Sequence, residues 1–194
     1  MIRFKLNGVT VCIDFSFFAV VTIMILCSDS VYAVYSMYAC FLHEAGHLLM
    51  MMIVGQKVRK LVFYGAGIKI VPSRNCESEK FSHEVLVLAA GCGVNFVIAL
   101  LSLVCEPLAV FGTVNLAVGL FNAMPLFFLD GGKIIIQCCY RFFDFNKSVK
   151  MEKTSKLVSV FLIVTIGIIL YTVNVSNFTV YVTLFFLMIT SLLM

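Results

Sequence analysis

Apolar runs that approach or exceed the ~20 residues needed to cross a hydrocarbon core recur along this chain. They restrict the fold more than any other feature. Inside hydrocarbon every backbone polar group needs a partner within the protein, a demand that helices and closed barrels meet. The run lengths here are those of helices. Composition agrees: 62% of the 194 residues are hydrophobic and 12% are charged, about half the charged share of an ordinary water-soluble domain. Mean hydropathy is +1.08. The expected fold is an all-α polytopic membrane protein with about six transmembrane helices.

The first span is expected from near Val9 to Cys27, with Asp14 close to the interface, and the second from Val31 to Val54. A polar segment, Gly55 to His83, separates the second from a third span over Glu84–Val104. Within that segment, Val58 to Val71 is rich in β-branched and aromatic residues and reads as a short membrane-associated β segment. A long fourth apolar region, Leu108 to Phe143, is interrupted by Pro125 and by Asp130-Gly131-Gly132. A charged loop, Arg141 to Lys156, leads to a fifth span over Leu157–Val173 and a sixth over Phe178–Met194. No internal repeat is visible. The reading is a single integral-membrane domain over residues 1–194, with its core at about 31–143 and no PDZ or nucleotide-sensing domain.

Charge tests this arrangement. Six spans place 13 of the 14 Lys and Arg residues on one side, Lys133 being the exception. The opposite loops carry Asp29 and Glu106 and no basic residue. Basic residues favour the cytoplasmic side, so both termini and the β segment are expected there. The net charge of +4 is modest. With no basic tail and no aromatic-basic interleaving, nucleic acid is excluded as a partner. The eight cysteines lie mostly in or beside apolar runs and form no C-x-x-C pair; they read as small apolar residues.

The second span holds His43-Glu44-Ala45-Gly46-His47, an H-E-x-x-H sequence. On a helix, residues four apart differ by only ~40° around the axis. Both imidazoles then share one face and can share a zinc ion, with Glu44 beside them as a base for the attacking water. An ionisable residue at mid-membrane costs ~2.5–3.5 kcal/mol even on lenient scales, so three polar groups in one span must pair or bind something. The plainer alternative is a His–Glu cluster that joins helices.

Asp130 is the candidate third ligand, as the acidic residue within the fourth apolar region. His47 lies ten residues before Lys57, or ~15 Å along a helix, and Asp130 lies eleven before Arg141, or ~17 Å. The two therefore sit at similar depth. Gly131-Gly132 is expected to loosen the helix and let the carboxylate turn inward. The alternative for Asp130 is an i,i+3 ion pair with Lys133. Asn95 and Asn122 are amides inside apolar stretches. Each reads either as an interhelical hydrogen bond or as a group that steadies the oxyanion or the substrate strand.

Together these residues resemble the site-2 protease family of intramembrane zinc metalloproteases. His43-Glu44-Ala45-Gly46-His47 matches the family's zinc motif. Asn122-Ala123-Met124-Pro125-Leu126-Phe127-Phe128-Leu129-Asp130-Gly131 matches its N-x-x-P-x-x-x-x-D-G motif. Gly91-Cys92-Gly93-Val94-Asn95 is similar to its G-P-x-x-N segment, with Cys92 in place of the proline. The resemblance covers roughly Phe41 to Lys133. It implies Zn2+ on His43, His47 and Asp130, Glu44 as general base, and a transmembrane protein as substrate. The compact form resembles the small bacterial branch that includes the sporulation protease of the IV FB type, which implies a bacterial cell membrane. The Val58–Val71 strands are expected to hold an unwound substrate. A metal-ion transporter, or a non-catalytic membrane scaffold, is the rival that Glu44 discriminates.

Overall fold

The computed structural model describes residues 1–6, 8–27, 31–64, 67–72, 81–174, 181, 184, 185, 188 and 189. The protein is mostly helical, with a small sheet, and divides into two compact units, Met1–Phe121 and Asn122–Met194.

The first unit opens with strands β1 (Ile2–Leu6) and β2 (Val9–Ile13), paired antiparallel from Ile2↔Ile13 to Leu6↔Val9. The expected membrane span from Val9 is corrected here: Val9 to Ile13 is strand, and helix α1 runs over Phe15–Cys27. Gly8, at φ +84°, supplies a turn conformation that side-chain-bearing residues rarely adopt. The β-branched Val9, Thr10, Val11 and Ile13 suit a pleated, half-buried surface. The Asp14 carboxylate accepts the Phe15 N–H at 2.7 Å as the strand gives way to helix.

Helix α2 (Val31–Ile53) follows, then β3 (Val58–Tyr64) and β4 (Gly67–Pro72). The sheet order is β1-β2-β3-β4, with β2 and β3 parallel across the helical crossover and β3 and β4 antiparallel. β3 is therefore internal, and β4 is an edge among the described strands. Helix α3 (Phe81–Ser102) packs along α2. A Cβ at Gly46 of α2 would lie 2.7 Å from the Ala90 carbonyl oxygen of α3, so glycine permits this close approach. A 3-10 turn (Glu106–Leu108) leads into α4 (Ala109–Ala123), whose buried residues are Gly112, Asn115 and Gly119.

In the second unit the fourth apolar region is broken. Residues 124–129 form a non-helical link between α4 and α5 (Asp130–Phe142). Gly131 and Gly132 do not loosen a helix, as expected from the sequence; they lie in the first turn of α5. A Cβ on Gly131 would overlap the Ala123 and Met124 backbone, and one on Gly132 the Leu126 carbonyl. Their lack of side chains lets the link fold back over the helix start. Helix α6 (Phe145–Thr172) is longer than the expected fifth span. The segment Phe145–Lys156 is its first three turns rather than a loop. It holds neither Gly nor Pro, and Glu152 and Lys156 pair one turn apart at 3.4 Å. At 1.5 Å per residue these 28 residues span ~42 Å, more than a hydrocarbon core, so charged turns can extend past it. Most of the expected sixth span, Phe178–Met194, lies outside the described residues.

Polarity is distributed inside out. The fully buried side chains include Asn95, Asn115, Ser148 and Ser159, while Leu49, Leu100, Leu103, Val104 and Phe161 are exposed. Such a surface suits lipid, whereas burying amides is tolerable only with hydrogen-bond partners. Among the described residues two helices, α3 and α6, are long and apolar enough to cross a membrane.

Candidate active site

The two histidines of H-E-x-x-H lie one turn apart on α2, both buried. Their Nε2 atoms are 3.1 Å apart and their rings meet edge to face, 4.7 Å between centroids. Each Nδ1 has an acceptor. His47 Nδ1 donates to the Val87 carbonyl oxygen at 2.7 Å. A carbonyl only accepts, so the His47 proton sits on Nδ1 and its Nε2 presents a lone pair.

His43 reaches the same state through an amide. Its Nδ1 lies 2.9 Å from Asn95 Oδ1. Asn95 Nδ2 donates to the Ala39 carbonyl oxygen at 3.1 Å and to Asn115 Oδ1 at 2.9 Å. These acceptors orient the amide with its oxygen toward His43, so His43 Nδ1 is the donor. Both Nε2 atoms therefore point acceptor faces at one locus. Two nitrogens at ~2.0–2.1 Å from a tetrahedral zinc stand about 3.3–3.4 Å apart, close to the 3.1 Å seen here. Holding the far ring nitrogen by a hydrogen bond is the usual way in which a protein fixes a ligand histidine. The donor set and its spacing thus fit a cation.

Helix α3 forms the opposite wall. A Cβ on Gly91 would lie 2.5 Å from His47 Nε2 and 2.8 Å from His43 Cε1. Only glycine leaves room for both rings there. Glu44, between the histidines, is half-buried.

In the second unit, Asp130 is the first residue of α5, after Leu129 in extended conformation. Lys133 Nζ donates to Asp130 Oδ1 at 3.2 Å, so the i,i+3 pair foreseen as an alternative is formed. It does not conflict with a ligand role, since an ionised carboxylate offers two oxygens and about four lone-pair sites. The link before Asp130 is tied to α6. Phe127 N–H donates to Ser159 Oγ at 2.9 Å, the Ser159 hydroxyl donates to Ser155 O at 2.8 Å, and Lys156 Nζ lies 4.4 Å over the Phe127 ring.

Asn122, in the last turn of α4, is half-buried. Asn95 makes interhelical hydrogen bonds, one of the two roles its position in an apolar helix allowed, and both its N–H groups are engaged. Asn115 and Ser159 were missed. Each carried the signal that marked Asn95, a polar side chain in an apolar stretch, but their partners lie 20 and 32 residues away in the chain.

An H-E-x-x-H histidine pair held in the ligand tautomer on one helix face is the donor arrangement of zinc metallopeptidases. The model of peptidase family M50 matches residues 102–166, a stretch that includes Asp130 and the link before it. The site-2 protease from Methanocaldococcus jannaschii has the same fold, with a TM-score of 0.68. It is 20% identical, and the match covers 98% of this chain and 93% of that one. No curated protein matches. The motif resemblance to the site-2 proteases is therefore met by a family match and by a shared fold. The family model covers 65 of the 194 residues, and the structural likeness, at 20% identity, concerns the fold.

Proposed function

We propose that the protein is a zinc-dependent intramembrane endopeptidase that hydrolyses peptide bonds in or near transmembrane segments of other membrane proteins. The observation that carries this reading is the His43–His47 pair, with both Nδ1 protons committed to acceptors and the Nε2 atoms 3.1 Å apart. Asp130, the acidic residue of the second motif, is the proposed third ligand, which gives two imidazoles and a carboxylate, the usual composition of a catalytic zinc site with an open position. His43, His47 and Asp130 would hold the zinc, which would supply polarisation of the scissile carbonyl and a lowered pKa of water, toward ~7.

The remaining chemistry belongs to the chain. Glu44 takes the proton from the attacking water and returns it to the leaving amine. Asn95 holds His43 in the ligand tautomer, and Asn122 is the remaining candidate for holding the substrate strand or its oxyanion. An unwound substrate needs partners for its exposed amides. The edge strand β4, along Ile68–Val71, offers them by strand addition, whereas β3 is already paired on both sides. The distribution of Lys and Arg supports cytoplasmic termini.

Metal analysis tests the ligand set. The purified protein is expected to hold equimolar zinc, and His47→Ala and Asp130→Ala to lose it. Full zinc retention by Asp130→Ala would remove Asp130 from the set.

A further inference from the structure

The seam between α4 and α3 has a purpose beyond packing. Gly112, Asn115 and Gly119, the buried residues of α4, recur at intervals of three and four and so share a face. A Cβ on Gly119 would lie 3.1 Å from Asn95 Cβ, so α4 approaches α3 closely beside the amide that serves His43. Asn115, fully buried, stands one turn before Gly119 and reaches Asn95 at 2.9 Å. An apolar residue at 115 would satisfy a membrane helix at less cost than a buried amide.

We infer that Asn115 is a positioning residue for the metal-binding histidine. It acts at the far end of a directed relay of hydrogen bonds that runs from α4 through α3 to α2. The direction of the relay is set at its origin. Asn115 Nδ2 lies 2.9 Å from the Phe111 carbonyl oxygen, which only accepts. Asn115 must therefore turn its oxygen toward Asn95, whose Nδ2 donates to it. Asn95 Oδ1 then faces His43 Nδ1, and His43 Nε2 is left as the lone-pair nitrogen.

Ala39 already sets the sense of the Asn95 amide. Asn115 adds the second anchor. Without it one Asn95 N–H is buried with no acceptor from α4. The amide can then relieve that by swinging away from His43, which frees the ring to turn and to protonate on Nε2. Buried networks of this kind specify one arrangement only when every member is satisfied.

The inference rests on His43 being a metal ligand, and the test separates the two. Zinc affinity is measured by chelator competition for the wild-type chain and for Asn115→Leu, which keeps the side-chain volume and removes both polar groups. The expected loss is about 10–100-fold, the range for removing an outer-shell partner of a metal ligand. In parallel, ring 15N shifts are read for metal-free protein at a pH where the ring is neutral. Wild type is expected to carry the His43 proton on Nδ1, and Asn115→Leu to show a mixture of tautomers.

Unchanged affinity together with an unchanged tautomer would overturn the relay. If Asn115→Leu does not fold, the wild-type spectrum still decides, since a proton on His43 Nε2 contradicts the hydrogen-bond direction. A wild type that takes up no zinc defeats the metal reading, while the tautomer comparison still judges the relay.

Discussion

Replacing Gly91 with alanine separates helix stability from site geometry. In an ordinary helix interior the change is favourable by ~0.8–1.0 kcal/mol, because alanine is the better helix former. Here the new methyl would lie 2.5 Å from both Cε1 and Nε2 of His47 and 2.8 Å from Cε1 of His43. Non-bonded carbon atoms rest at ~3.5–4.0 Å, so the rings or α3 must yield by roughly 1 Å. Overpacking of this kind costs ~1–3 kcal/mol, which outweighs the propensity gain by at most about 2 kcal/mol. The fold should therefore survive. The site should not, because a ~1 Å misplacement of catalytic groups can cost about a hundredfold in rate. Gly93 is the internal control: it lies on the same helix, and a Cβ there meets nothing within 4 Å. Chelator competition, cleavage of a single-span reporter and thermal unfolding by circular dichroism should be run on both variants. Gly91→Ala is expected to unfold near the wild-type temperature with zinc affinity and cleavage severely reduced, and Gly93→Ala to keep both. Wild-type zinc binding and cleavage by Gly91→Ala, or equal losses in the two variants, would refute the placement of Gly91 against the histidines.

Ser159→Ala removes the α6 partner of the part-buried Phe127 N–H in the link before Asp130; a fully buried donor left unsatisfied costs ~1–3 kcal/mol and a part-buried one less, so the unfolding midpoint should fall modestly, which thermal denaturation in detergent will detect. Gly132→Ala drives a methyl into the Leu126 backbone and should abolish metal retention, read by metal analysis of the purified protein. Proline at Ile70 removes an N–H from β4, and reporter cleavage should fall while zinc content stays; unchanged cleavage would exclude strand addition there.

The histidine pair was more legible in the sequence than the fold around it. The four-residue spacing of His43 and His47 puts both on a shared helix face, whatever surrounds that helix. The strand pair Ile2–Leu6 and Val9–Ile13 was hidden because Val9–Ile13 merges with the apolar Phe15–Cys27 stretch, and hydropathy does not separate a strand from the start of a span. The charges of Phe145–Lys156 suggested a loop, yet charged residues are good helix formers, and an intrahelical ion pair accommodates them. Gly131 and Gly132 were recognised as unusual but given the wrong task. Their role depends on the Ala123–Phe127 backbone lying against them, which no local pattern encodes. The supporting amides obey the same limit. Asn95 was noticed as a polar group out of place, whereas its service to His43, and that of Asn115 to Asn95, arise only when three helices meet.

The most direct test of the central claim is cleavage of a panel of single-span reporter proteins by wild type and by Glu44→Gln, with zinc content measured in both. The account predicts cleavage by wild type and none by a Glu44→Gln variant that still carries its zinc. Persistent cleavage by zinc-loaded Glu44→Gln would contradict it, because the proton of the attacking water would then have another acceptor.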